Sequence, residues 1–348
     1  MSIQSNMKDA VCVILLFLCA CSPKEQNSYE YTAPEFKKTY KAEIVPLNKD
    51  IMIGDVLQMY KSDDKLILQA KNIENKNEFQ VFSEVNGEFL GAFGFVGRGD
   101  KELSFYFLNA LSIDEKSMIS VDNNCKMMNF DLTKATEPNN ACAGDAFFVG
   151  NKNRSSQLHC LSDGSLLHIG SPRIFITDPT MFDTIARYNE YPRVTEVIDA
   201  NSSIKNGYFG MNTHSAVNTS RTKLATVTHY GMLLEIFDLN KDAITPTQIC
   251  RFYEPRMASR IAKEEDCVVG AMGIVATDNY IYTQYSTSTK LSEIVWNIGV
   301  FDWQGREVCC YTFEDNIQTF TVTSDDKRAY CWVQNADGEE FLGYFDLK

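Results

Sequence analysis

Seven side chains carry recognition chemistry at or beside the segments that join apolar runs: Arg98, Arg173, Arg193, His214, Arg256, Arg260 and Tyr285. A guanidinium offers paired N–H donors and suits a carboxylate or another oxyanion. Arg256-Met257-Ala258-Ser259-Arg260 is the densest basic stretch in a chain of net charge −13, and it suits a carboxylate or an acidic glycan. A solvated loop is the alternative for these arginines. His214 and His229 are spaced to meet across a hairpin. A satisfied core or surface imidazole is the alternative for each. Constellations that would do covalent chemistry are missing. No Gly-x-Ser-x-Gly occurs, and the four histidines form no His-x-x-x-His. With 46 acidic residues, any carboxylate pair chosen for glycosidase chemistry would be arbitrary. The Asp-rich segments lack calcium-loop spacing and suit tight turns in which Asp bonds its own backbone. No catalytic residue, metal ligand or cofactor is assigned. The acidic balance also argues against nucleic acid, whose phosphates need clustered Lys and Arg.

The elements that must position these residues are repeats. A polar turn recurs between apolar runs at Asp63-Asp64, Asp114-Glu115, Asp163-Gly164, Ser220-Arg221, Asp278-Asn279 and Asp325-Asp326. A Phe closing an apolar run, usually before Asp, follows each turn: Phe82, Phe130, Phe182, Phe237, Phe301 and Phe345. Repeats of roughly 40–50 residues made of short strands indicate a β-propeller. Aromatic residues at 12% favour strands. The first repeat parses as strands over 55–61, 66–68, 79–82 and 89–93, with Asn86-Gly87 as a hairpin turn. The fifth gives an independent copy. The third is the weakest, and its Phe182 is open to being a chance match, which would leave five blades; the spacing from Phe130 to Phe237 favours six. The expected fold is therefore all-β, a six-bladed propeller of four-stranded antiparallel blades. The chain reaches Lys348 before the last blade has a fourth strand. The stretch 40–46 is expected to supply it, because an unpaired edge invites aggregation.

Ahead of the repeats, Lys8 precedes the apolar run Ala10 to Ala20, too short to span a bilayer. Leu18-Cys19-Ala20-Cys21 then reads as a lipoprotein cleavage site, with Cys21 acylated. An ordinary signal peptide with an incidental Cys is the alternative, and the start is Met1 or Met7. The expected organisation is a signal peptide over 1–20, a tether over 21–37 and the propeller over 38–348. The expected address is the cell envelope, on the outer membrane, facing the periplasm or the surface. Beyond the signal and Cys21, the cysteines at 125, 142, 160, 250, 267, 309, 310 and 331 form no Cys-x-x-Cys and mostly sit inside apolar runs. Buried free thiols are expected, with a vicinal Cys309–Cys310 disulfide as the alternative.

The cleavage site, the six turns and Gly94-Phe95-Val96-Gly97-Arg98-Gly99-Asp100-Lys101-Glu102 resemble the TolB-like six-bladed propeller lipoproteins of gut-type anaerobic bacteria. That family often carries Gly-Arg-Gly-Pro-Gly-Glu after the first blade, where this chain has Asp100-Lys101 in place of Pro-Gly. The resemblance covers nearly the whole mature chain. It implies fold and location and lends no catalytic residues. Taken from the residues themselves, the glycine-rich element is a connector between blades, with glycine supplying positive φ. It is not a phosphate loop, since no helix and no Gly-Lys-Ser/Thr follow. Nor is Arg98-Gly99-Asp100 an adhesion signal, because a tripeptide recurs too often by chance. The expected function is a non-catalytic binding or scaffold module, monomeric and membrane-held through Cys21, meeting a protein or glycan. A hydrolase or lyase with its site in the central channel is the alternative.

Overall fold

The structure, a computed structural model, describes residues 30–51, 53–70, 76–104, 109–122, 126–148, 155–170, 173–178, 184–190, 213–240, 246–254 and 268–348. The chain divides into a segment Met1–Tyr31 and a compact unit Thr32–Lys348, and the second is a six-bladed β-propeller. Two short strands open it, β1 (Thr39–Lys41) and β2 (Val45–Asn48). Blade one is β3 (Val56–Ser62), β4 (Lys65–Ala70), β5 (Asn77–Ser83) and β6 (Phe89–Phe95); blade two is β7 (Asn109–Ile113), β8 (Ser117–Asp122), β9 (Lys126–Asp131) and β10 (Phe147–Phe148). Blade three holds β11 (Ser155–Cys160), β12 (Leu166–Gly170), β13 (Arg173–Thr177) and β14 (Thr184–Glu190). Blade four holds β15 (Thr213–Val217), β16 (Lys223–Thr228), β17 (Met232–Asp238) and β18 (Pro246–Tyr253). Blade five is β19 (Ala271–Ala276), β20 (Tyr280–Tyr285), β21 (Asn297–Asp302) and β22 (Glu307–Thr312); blade six is β23 (Asn316–Val322), β24 (Arg328–Gln334) and β25 (Glu340–Asp346).

Within each blade consecutive strands pair antiparallel. The second and third strands are sandwiched between neighbouring blades, so both their faces are buried and most of their residues are apolar. Lys65–Ala70 reads Lys-Leu-Ile-Leu-Gln-Ala and is buried from Leu66 onward. The hydrophobic core is divided accordingly. Six clusters each lie between two adjacent blades, from Ile67, Phe79 and Met118 between blades one and two round to Met59, Leu66 and Trp332 between six and one. Phe82, Phe130, Phe237, Phe301 and Phe345 end the third strands and are all buried. In blade three the third strand ends at Thr177, so Phe182 is not its closing residue and lies outside the described residues. The turn between first and second strands uses one left-handed position, at Asp63, Gly164, Arg221 and Asp326, with φ between 51° and 84°.

Closure differs in detail from the expectation for 40–46. Blade six is completed by β2, with Val45 opposite Tyr344 and Pro46 opposite Gly343. Tyr40 and Lys41 belong to β1, which adds a fifth, parallel strand to β22 of blade five. The chain leading into it is packed as well. The Phe36 ring sits 5.3 Å from Phe301 and 5.8 Å from Tyr285, and a Cβ on Gly299 would come within 2.7 Å of it. A parallel partner was invisible to a rule that looked only for the missing fourth strand.

Candidate ligand-binding channel

The first strand of every blade runs beside the ring axis, and together these strands line a cavity of about 710 Å³. Ligand cavities usually measure roughly 300–1,000 Å³. The starts of the first strands lie at one end of it, the mouth, and the turns after the first strands at the other. Gln58, Gln157, His214, Met272, Trp296 and Gln318 lie toward the mouth, and Lys61, Cys160 and Arg221 toward the turn end. Leu57 and Met272 are about half exposed, giving the mouth an apolar component.

Between blades three and four the polar groups form a directed chain. The Gln157 Nε2 donates to the Thr213 carbonyl at 2.9 Å, which fixes the carboxamide so that its Oε1 accepts. Ser215 Oγ donates to that oxygen. Its proton being committed, Ser215 accepts from His159 Nε2 at 2.8 Å, which makes His159 the Nε2–H tautomer. Burial pushes the His159 imidazole down to about 4, so it is neutral at pH 7. A neutral donor beside a hydroxyl whose proton points elsewhere is not a base activating a nucleophile. His214, next along β15, is also pushed to about 4, by burial and by the nearby His229. The two imidazoles meet as expected, with ring centroids 5.8 Å apart, and His229 Nδ1 bonds the Ala271 carbonyl at 2.6 Å. The Nε2 of His214 is buried and finds no partner among the described residues.

The lining cations are both neutralised. Lys61 pairs with Glu84 at 2.8 Å. Arg221, held at φ 56°, reaches from the blade four turn to Asp114 of blade two at 3.3 Å. Asp114 also accepts from the amides of Lys116 and Ser117, and these bonds together with Arg221 outweigh its desolvation and hold its carboxyl below the usual range. At the turn end neighbouring blades are tied to one another. Ser62 donates to the Glu115 carbonyl, Asn218 to Asp278, and Thr277, Asn279 and Tyr282 all donate to Asp326. The Asp-rich turns therefore bond their own backbone and, in blades five and six, the preceding blade too. A second depression of about 730 Å³, lined by residues of blades one and six, has its charges in pairs, Arg328 with Asp346 and Lys327 with Asp325.

Of the residues singled out by sequence, His214 lines the cavity. Arg98 is exposed in the connector from blade one to blade two. That connector is a closed turn. Glu102 accepts from the Gly99 amide at 2.6 Å, and Lys126 caps the carbonyls of Gly99 and Glu102. A Cβ on Gly97 or Gly99 would meet the Glu102 carboxylate at 2.1 and 2.9 Å, so that side chain would have to move out of its bond to Gly99; positive φ belongs to Gly94 instead. Tyr285 is buried in the seam of blades four and five, its hydroxyl 3.4 Å from Cys310 Sγ, and burial pushes its phenol up. Arg173 opens β13 opposite Glu190. Arg193, Arg256, Arg260 and Cys21 lie outside the described residues. Cys142, Cys160, Cys250, Cys309, Cys310 and Cys331 are free thiols, so Cys309 and Cys310 form no vicinal disulfide. No group of three or more His, Cys, Asp or Glu able to hold a metal ion occurs among the described residues. Gln157, His159, Ser215 and Trp296 were missed. Their signal is a polar–apolar–polar alternation such as Gln157-Leu158-His159 just before a blade turn.

Ring and channel together define a six-bladed propeller with a cavity on its axis. The family model for TolB-like 6-blade propeller-like proteins matches residues 175–325, in agreement with the resemblance read from the sequence. Among solved structures, a member of the DUF4221 family from Bacteroides vulgatus ATCC 8482 is similar at 11% identity and TM-score 0.54, covering 91% of this chain and 98% of that one. The RRP9 WD40 repeats are similar at 10% identity and TM-score 0.52, covering 91% and 99%. At such identities the likeness concerns the fold. No curated protein sequence matches the chain.

Proposed function

We propose that this chain is a non-catalytic binding propeller, held at the cell envelope by a lipid on Cys21, which presents its open channel mouth to a protein or a glycan. The observation that carries the binding reading is the directed chain from His159 through Ser215 to Gln157, inside a cavity of about 710 Å³. The Leu18-Cys19-Ala20-Cys21 pattern and the TolB-like match support the envelope address. The 2.8 Å approach of His159 to Ser215 is what favours the rival reading, a hydrolase in the channel. The mature chain, immobilised, is to be exposed to solubilised envelope and, separately, assayed with chromogenic esters and glycosides. Capture of a defined component without turnover is the expected result. Turnover that disappears in Ser215→Ala would establish the hydrolase instead. Cys21→Ala is expected to leave the protein unacylated and in the soluble fraction; membrane fractionation with palmitate labelling of that variant would refute the anchor.

A further inference from the structure

Resting on that binding reading, we propose that the channel mouth takes an uncharged, hydroxyl-rich ligand, a short neutral oligosaccharide, bonded by the Gln157–Ser215–His159 chain. Charge is the first argument. Among the described residues that line the cavity, the cations Lys61 and Arg221 are already paired with Glu84 and Asp114, so an ionic ligand would lose its hydration without gaining an unpaired counter-charge from them. The two half-buried imidazoles, His159 and His214, are neutral at pH 7 as well.

The second argument is the sense of the hydrogen bonds left over. Gln58 Oε1 accepts from the Tyr60 hydroxyl, so the Gln58 amide hydrogens remain as donors. Gln318 Nε2 donates to Glu340 at 2.9 Å, so the Gln318 carbonyl remains as an acceptor. Ser215, which donates to Gln157 and accepts from His159, keeps a lone pair. Both a donor and acceptors are thus left over around the cavity. A hydroxyl satisfies either, because it donates and accepts at the same atom. The third argument is shape. Tyr60 and Trp296 are among the residues that line the same cavity, and aromatic side chains suit the C–H surface of a sugar as they do other amphipathic partners. A peptide would bring charged termini or side chains to a cavity whose described lining residues hold no unpaired charge.

Calorimetric titration of the purified mature chain with maltohexaose, cellohexaose and mannohexaose tests this. Oligogalacturonate serves as the acidic comparator and a terminally blocked neutral decapeptide as the peptide comparator. At least one uncharged hexasaccharide is expected to bind, and oligogalacturonate at least about tenfold more weakly. Ser215→Ala is expected to weaken saccharide binding about tenfold. Gln58→Ala, on the exposed rim where folding is not at stake, is expected to weaken it severalfold. The proposal is overturned if no hexasaccharide binds at about 10 mM. Tighter binding of the acid or the peptide overturns it too, as does equal binding by folded variants. An envelope protein captured by a chain that binds no saccharide would refute this inference and leave the binding reading standing.

Discussion

The seam between blades five and six and the channel wall between blades three and four follow one strand plan and put different chemistry into it. The first is mainly apolar. Tyr282, Ile298, Val300, Tyr311, Phe320, Cys331 and Phe345 pack together, the Tyr311 and Phe345 rings lie 5.4 Å apart, and Asp326 accepts three hydrogen bonds from blade five. The second holds three of the four histidines on its inner and middle strands, with an unpartnered imidazole nitrogen. A ring has no free edge only while it is closed, so its stability is concentrated where β1 and β2 bring the first residues to the last blades. Elsewhere the wall can carry groups that favour a ligand more than the fold.

The largest expected effect is on closure. Removing residues 32–48 takes away Phe36 from the blade five core, β1 from β22 and β2 from β25. The melting temperature is expected to fall by more than about 10 °C, with aggregation through the uncovered edge of β25. An unchanged melting curve would show that the ring does not depend on this segment. Within the same seam, Asp326→Ala leaves Thr277, Asn279 and Tyr282 without their acceptor and is expected to cost about 2–3 kcal/mol. Ser215→Ala in the other wall is expected to cost about 1 kcal/mol. Chemical denaturation of the two variants measures the contrast, and equal losses would abolish it.

Acid should act on the opposite region. His159, His168 and His214 are all pushed to about 4, burial being the main cause. An unfolded histidine protonates near 6.5, so between pH 6.5 and 4 the unfolded chain binds more protons than the folded one. The contribution of these groups is complete above pH 6.5 and is lost as pH falls toward 4. For His168, which is 2% exposed and bonded to Thr177 at 2.8 Å, it approaches about 3 kcal/mol; for the half-buried pair it is smaller. The lowered carboxyls of Asp114, Asp163 and Asp325 keep their share above the ordinary carboxylate range and lose it only at lower pH. Amide exchange at pH 7.5 and pH 5 should therefore lose protection in blades three and four before the five–six seam. Uniform loss would mean the histidines are not the sensitive groups.

Much of this plan is written in short-range signals. Turn residues such as Asp63 and Asp326 mark where first strands end, and a buried Phe marks five third strands, because both act within a few residues of themselves. Blade three departs from the pattern because its third strand closes on Ile176-Thr177 in place of Phe-Asp. The channel was less legible. His214 could be picked out by type, but Gln157, Ser215 and His159 become a chain only when blade four is folded against blade three, some 56 residues away in sequence. Tyr285 illustrates the converse. Its phenol looks available in sequence and is covered by Phe36, whose arrival nothing local announces.

The smallest expected effect is the most discriminating for the turn end of the channel. Arg221 occupies a left-handed backbone position that its counterpart Gly164 fills without strain, at φ 56° against 84°. A non-glycine residue there costs on the order of 1 kcal/mol. Against that stands one partly exposed pair, Arg221 with Asp114 at 3.3 Å, worth about 0–1 kcal/mol. The two nearly cancel, so Arg221→Gly is expected to shift stability by less than about 1 kcal/mol in either direction. It removes the only group reaching from blade four to blade two among the described ion pairs, and so opens the turn end of the channel. Asp114→Ala is different, because it also releases the Lys116 and Ser117 amides, and it should cost about 1–2 kcal/mol. If Arg221→Gly proves as costly as Asp114→Ala, the ion pair is a structural tie like Asp326, and the turn end belongs with the closing seam. If it is neutral while saccharide binding changes, the arginine is retained for the channel, and the division between a stabilising seam and a ligand-facing wall extends to the floor of the cavity.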